Sequence, residues 1–256
     1  MNTSLQIWRD GGEFATVEPG GLRIFYRDFG EQNAAPEKTL LLLHGFPESS
    51  HSFYKVINGL QECFDRVVAF DMPGYGFSDK PASGYSYSLV QQADAALQLW
   101  RALGVRGGHA LSHDMGTSVL TELLARHAPD MMPGWFDAGL QSATFTNGSM
   151  VLELAKLRVM QRVLLSKAGA AMSKLSRQSI FAQQVRSGHG ISEGEQGALS
   201  DDDIDCLWQA NCLQDGHRKN HLIIRYLNDR KQYENTRWLP ALTAASQQLP
   251  VHICWG

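Results

Sequence analysis

Short runs that are apolar at every position alternate with longer stretches of helical spacing along most of this chain. Thr39–Leu43, Arg66–Phe70 and Gly108–Leu111 are three such runs, Phe136–Ser142 is a weaker fourth, and Val251–Trp255 is a fifth. Runs this short and apolar on both faces predict a buried, largely parallel sheet. Glu13–Val17 and Leu22–Arg27 alternate instead, and Pro19-Gly20-Gly21 between them predicts a hairpin. Leu89, Ala93, Leu97, Trp100 and Leu103 recur at helical spacing, and Val119, Leu120, Leu123 and Leu124 mark a second helix. A third helix is expected near His51–Leu60. Strands alternating with helices predict an α/β fold with helices on both faces of the sheet.

The pattern changes after Asn147. From about Met150 to Tyr233 the spacing is helical, and strand character returns only at Val251. Ser200-Asp201-Asp202-Asp203 reads as a capping box opening a helix at Ile204, its acidic run a solvated helix start favoured by the helix dipole. A helical block is thus inserted between two strands of one sheet. The expected organisation is a core over residues 1–147, a helical cap over 148–240 and a return to the core over 241–256. No internal repeat or low-complexity segment interrupts it.

Composition narrows the class. The 256 residues carry 43% apolar and 19% charged side chains, which makes disorder, collagen and coiled coil poor readings. A net charge of −3 gives no electrostatic reason to expect nucleic acid or an anionic membrane as partner. Cys63, Cys206, Cys212 and Cys254 form neither a CxxC pair nor a zinc spacing, so a reducing compartment is the default. The N-terminus lacks the basic and apolar regions of a secretory signal. Leu40–Leu43 is far shorter than the ~20 residues of a membrane span. A soluble cytoplasmic protein acting on a small molecule is expected, with oligomeric state open.

The chemistry concentrates in Ala110-Leu111-Ser112-His113-Asp114-Met115-Gly116, where a strand turns sharply into a helix. Such a turn holds its apex residue strained and exposed, and it demands small residues two before and two after. With Asp114 at the apex those positions are Ser112 and Gly116; with Ser112 at the apex, Asp114 would fill one badly. The apex is therefore assigned to Asp114. A carboxylate nucleophile forms an ester that water then hydrolyses, which suits an epoxide carbon or a carbon bearing halogen. Taken alone, Asp114 reads equally well as a helix N-cap. Two further strand ends change the balance. His44-Gly45-Phe46-Pro47 can present the Phe46 N–H, and Met115 a second N–H, as an oxyanion hole. Asp71-Met72-Pro73-Gly74-Tyr75-Gly76-Phe77-Ser78 supplies a glycine-rich turn beside them.

On these residues, His44–Pro47, Asp71–Ser78 and Ser112–Gly116, the sequence resembles the α/β-hydrolase superfamily, in its epoxide hydrolase and haloalkane dehalogenase branch. Within that branch it is most similar to the mesoderm-specific transcript proteins. Asn147-Gly148, Trp208, Asp215-Gly216, Tyr226, Arg230, Trp238 and Ala241-Leu242 match their pattern. The resemblance implies an α/β-hydrolase fold with a mostly parallel sheet and an inserted helical cap, Asp114 as nucleophile, and no metal or organic cofactor. It implies that Tyr226 donates a proton to an epoxide oxygen, or else packs the cap. Trp208 and Trp238 either line the substrate pocket or pack. Met115 stands where the branch usually has Trp, and Asp229-Arg230 where a Tyr-Arg pair is usual; the first weakens a dehalogenase reading. The resemblance also places an acid just after the Val251–Gly256 strand and a His later still. Asn147 occupies the position of an alternative acid, and His44, His113, His217 and His221 substitute poorly for the later His. The sequence stops at Gly256, so a fragment lacking the last strand and helix is expected, with a short inactive relative as the alternative. His217 and His221 have a metal-compatible spacing, but the basic residues between them predict an exposed helix face. The expected activity is epoxide hydrolysis through an ester; a haloalkane dehalogenase or esterase, and a non-catalytic binding module, are the alternatives.

Overall fold

The apolar runs assemble side by side into one sheet, and the helical stretches cover it. The computed structural model describes residues 1–18, 20–127, 131–155, 157–189 and 198–255; Pro19 of the hairpin turn and the final Gly256 lie outside them. The elements are α1 (Thr3–Asp10), β1 (Glu13–Val17), β2 (Leu22–Gly30), β3 (Thr39–Leu43), α2 (Ile57–Gln61), β4 (Arg66–Phe70), α3 (Leu89–Ala102), β5 (Gly107–His113), α4 (Met115–His127) and β6 (Gly139–Thr146). There follow α5 (Val159–Leu165), α6 (Gly169–Lys174), α7 (Gln178–His189), α8 (Asp201–Cys212), α9 (Asn220–Ile223), α10 (Tyr226–Tyr233), α11 (Leu239–Ala245) and β7 (Val251–Cys254). The sheet order is β1-β2-β4-β3-β5-β6-β7. Pairs β1–β2 and β2–β4 are antiparallel, and the remaining pairs are parallel.

The centre of the sheet shows why those runs are apolar throughout. All five residues of β3 are buried. Leu41 and Leu43 face Trp100 of α3 and Leu120 of α4, while Leu40 and Leu42 join Leu5, Trp8 and Ile57 on the opposite face. The two-residue period of a strand makes one sequence run serve two cores. Each fully buried Leu contributes about 1.5–3 kcal/mol.

Three expectations need correction. The fourth strand begins at Gly139 rather than Phe136. Phe136 sits in a turn closed by its N–H to the Pro133 carbonyl, and its ring stacks on Trp100 at 5.8 Å. It is a core anchor ahead of the strand, and Gly139, at φ +64°, makes the entry. The helix expected at 51–60 is a 3-10 turn over Ser50–Phe53 followed by the short α2. Helix α1 was not foreseen from its sequence: Asn2 caps it through Ser4 N–H, and Leu5 and Trp8 seal one face of the sheet.

Between β6 and β7 every regular element of the described residues is helical. The capping box forms as read, one turn earlier than Ile204: Ser200 Oγ accepts the Asp203 N–H and Asp203 Oδ2 accepts the Ser200 N–H. Polar clasps hold this block over the strand ends. Asp203 binds Tyr54 and Lys55, each at 2.7 Å. Asp229 accepts the Leu89 N–H at the start of α3. Glu122 of α4 accepts from Arg237 and from the Trp238 indole. No helix of the described residues is long and apolar enough to cross a membrane.

Candidate active site

The turn from β5 into α4 places Asp114 in the left-handed region, at φ +47°. Aspartate tolerates this conformation better than most residues. Its neighbours must be small for a measurable reason. A Cβ on Gly116 would lie 2.3 Å from the Leu43 carbonyl oxygen, and one on Gly45 would lie 2.6 Å from Asp114 Cβ. Ser112, two residues before, is fully buried and donates to the Thr144 carbonyl at 3.0 Å. Backbone strain at one position is held by close packing on both sides.

Phe46 N–H donates to Asp114 Oδ1 at 2.9 Å, while Oδ2 accepts no hydrogen bond from the described residues. The Met115 N–H opens α4, where position alone leaves it without a helical partner. The two N–H groups expected to form an oxyanion hole thus flank the carboxylate, and one already holds its oxygen.

The loop carrying Phe46 is fixed from below. His44 is fully buried; its Nε2 accepts the Met72 N–H at 3.0 Å, so Nδ1 carries the proton and donates to the Gly45 carbonyl at 2.9 Å. Burial lowers its pKa, against the pull of Asp71, and keeps the ring neutral. Asp71 takes the Ser50 N–H and hydroxyl on one oxygen and the Phe77 N–H on the other. It ties the loop after β3 to the loop after β4 and closes the latter on itself. Gly76 is required there because a Cβ would fall 2.0 Å from Asp71 Oδ2.

Two phenols close over the carboxylate. The Tyr75 hydroxyl donates to Met115 Sδ at 3.0 Å, and its ring lies 4.9 Å from His44. The Tyr226 ring lies 6.1 Å from Phe46, with the Arg230 guanidinium 5.2 Å from its centroid. Burial first, and then negative neighbours including Asp114, raise both phenol pKa values. Both therefore keep their protons at neutral pH and can act as proton donors.

On the other side of the turn stands a charged pair. His113 Nε2 lies 3.5 Å from Glu48 Oε1, and Nδ1 lies 3.1 Å from Thr146 Oγ1. Thr146 Oγ1 donates to the Ser112 carbonyl, so it accepts from His113. The Nδ1 position then carries a proton, and Nε2 faces the Glu48 carboxylate, which favours the charged form of the ring. Burial alone would lower the His113 pKa; the hydrogen bond and charge of Glu48 outweigh it and raise the pKa above 6.5. Glu48→Gln is expected to drop the His113 pKa, because burial would then prevail, and an NMR titration of the ring carbon-bound proton reads this directly. With a raised folded pKa, the pair stabilises fully below pH 6.5 and less as pH climbs through the His113 value. An unchanged titration would assign the raised pKa to something other than Glu48.

Residues 38–168 match the alpha/beta hydrolase fold family. LipZ of Mycobacterium tuberculosis is 36% identical over 253 residues, spanning 99% of this chain and 81% of LipZ. This chain belongs to the α/β-hydrolase family. The mesoderm-specific transcript homolog protein of Homo sapiens is 33% identical over 258 residues, 100% of this chain and 73% of that protein. The crystal structure of haloalkane dehalogenase DbeA from Bradyrhizobium elkani superposes with a TM-score of 0.70, over 96% of this chain and 80% of that one. At 20% identity it shows the fold alone.

Not every residue singled out in this hydrolase meets at one place. Asp114, Phe46, Met115, Gly45 and Tyr226 do, with His44 beneath them and Pro47 in the same loop. Trp238 does not: it is fully buried, donates to Glu122 Oε2 at 2.9 Å and packs on Tyr233. Trp208 does not either: it is half-buried between Phe181 and His217. Their size and buried partners make both packing residues of the helical block. His217 faces Trp208, and His221 Nδ1 bonds the Arg218 carbonyl. Sequence reasoning missed Tyr75, Glu48 and Arg230 as members of the site. Tyr75 stands between the two glycines of a motif read only as a turn, and Glu48 directly follows Pro47, so adjacency was the available signal for both.

Proposed function

We propose that Asp114 attacks an electrophilic carbon of a small epoxide and forms an ester. One observation carries this: Asp114 is held at φ +47° with Oδ1 on the Phe46 N–H and Oδ2 unengaged. Oδ2 forms the new C–O bond, the ring C–O bond breaks, and the epoxide oxygen leaves with the electron pair. Tyr226 or Tyr75 supplies its proton. Water then adds to the ester carbonyl carbon, its proton passing to the phenolate left by the first step, and Oδ1 becomes an oxyanion between the N–H groups of Phe46 and Met115. Collapse releases a diol and restores the carboxylate. The phenols favour an epoxide over an alkyl halide, since a departing alkoxide needs a proton. A Met at 115 offers no side-chain donor to a halide. In this reading the helical block over residues 148–240 is a cap that excludes water. The four cysteines are free thiols, which supports a reducing compartment.

The test is to expose the chain to styrene oxide, 1,2-epoxyhexane and 1-bromohexane, and to map covalent mass by peptide mass spectrometry. Where turnover is fast, reaction in H2¹⁸O replaces trapping, because the attacking water leaves its oxygen in the Asp114 carboxylate. An adduct or ¹⁸O on Asp114 is expected. Neither label, with reversible binding of the same compounds, would make the protein a binding module.

A further inference from the structure

Arg230 of α10 is 3% exposed and packs on Tyr226, whose ring in turn lies against Phe46. Its Nε donates to Ser118 Oγ at 3.0 Å and its Nη1 to Ser149 Oγ at 2.8 Å. Ser118 follows Asp114 by one helical turn, and Ser149 follows β6. Both partners are neutral hydroxyls. Ser118 can accept from the guanidinium because its own proton is directed to Met150 Sδ. The third nitrogen, Nη2, has no hydrogen-bond partner among the described residues, and no described carboxylate lies within 4 Å of the guanidinium.

Apart from Asp114, the carboxylates nearest in sequence and packing are committed elsewhere. Glu122 serves Arg126, Arg237 and Trp238. Asp229 serves the Leu89 N–H, and Glu234 the Leu152 N–H. A guanidinium cannot escape its charge by losing a proton. Buried without a counter-ion, it is costly, and proteins ordinarily pair such a group. Here Nη2 is left without a partner among the described residues, and the guanidinium lies 5.2 Å from the centroid of the Tyr226 ring.

We propose that Arg230 is a substrate-binding residue for a carboxylate, and that the substrate class is a short carboxylic acid bearing an epoxide. The inference rests on the reading of Asp114 as nucleophile. A monoanion fits better than a phosphate dianion, because one cation must offset both the ligand and the charge of Asp114. Binding also sets the geometry. With its carboxylate forked on Arg230, the adjacent epoxide carbon is brought toward Asp114 Oδ2, because Ser118, which holds the guanidinium, follows Asp114 by one turn.

Two epoxides of equal size separate this from the parent reading: oxirane-2-carboxylate and oxirane-2-carboxamide at pH 7. The acid is expected to mark Asp114 at least about tenfold faster than the amide. Arg230→Met should erase that preference while the amide still reacts, and Arg230→Lys should keep part of it. In the unsubstituted protein, butanoate should slow labelling by the amide, and butanamide and inorganic phosphate should not. This arm stands even if an Arg230 variant fails to fold. Equal rates for acid and amide, or protection by phosphate in place of butanoate, overturn the proposal and leave the nucleophile reading intact. If neither epoxide marks Asp114, the nucleophile reading has failed. A ligand-observed NMR titration of butanoate, weakened at least fivefold by Arg230→Met, then still reports on Arg230, and an unweakened titration rejects it.

Discussion

Asp114→Asn is expected to abolish covalent labelling and to lower any turnover by about four orders of magnitude or more, with the fold unchanged. The substitution removes the nucleophilic charge and little else. An amide oxygen can keep the Phe46 N–H that now sits 2.9 Å from Oδ1. Asparagine also accepts the left-handed conformation found at φ +47°. Thermal unfolding should therefore shift by less than about 1 kcal/mol. Asp114→Ala is the useful contrast: it loses the same chemistry, and it also loses the hydrogen bond and a residue suited to positive φ, so it should melt earlier. Labelling of Asp114→Asn by any electrophile at another carboxylate would place the nucleophile elsewhere. A large loss of stability in Asp114→Asn would mean that the carboxylate is structural.

Glu122→Ala is expected to destabilise the protein by about 3–5 kcal/mol. Glu122 is 1% exposed and accepts from Arg126 Nε, Arg237 Nε and Nη2, and Trp238 Nε1. It fastens α4, whose first turn carries Met115, to the helical block. Its removal leaves the buried Trp238 indole N–H and the Arg237 guanidinium without their acceptor, while Arg126 keeps Asp94 and the Val90 carbonyl. Burial pushes the Glu122 carboxyl upward, but its hydrogen bonds to Arg237, Trp238 and Arg126 outweigh burial and hold it below its ordinary value of 4.5. A carboxylate lowered in the folded state stabilises fully above pH 4.5 and progressively less as pH falls through its folded pKa. Chemical denaturation at pH 7 and at pH 4 should therefore differ more for the native chain than for Glu122→Gln. Equal losses of stability on acidification would remove Glu122 from the acid response.

These two residues differ in how far their sequence context foretold them. Asp114 was legible because its signal is local: small residues at Ser112 and Gly116 bracket it, and His44–Pro47 ends a neighbouring apolar run. Glu122 sits mid-helix with nothing beside it to mark burial. Beyond Arg126 on its own helix, its partners lie 115 and 116 positions away. Trp238 shows the same limit from the other end. A large aromatic in the expected cap could line a pocket or pack, and only its indole on Glu122 decided for packing.

The sequence by itself determined the elements whose causes are short-range. Residue period, turn chemistry and capping act over two to four positions. They specify the buried runs of β3 and β4, the sharp β5–α4 turn, the Ser200–Asp203 box and the order of loops at the strand ends. Tertiary structure decided whatever depends on desolvation and on distant partners. It turned Phe136 from a strand residue into a core anchor. It raised the His113 pKa through Glu48, separated in sequence but 3.5 Å away. It buried Arg230 among hydroxyls with no carboxylate at hand. A charge costs little in water and much inside a protein, so its meaning is set by what folding places around it.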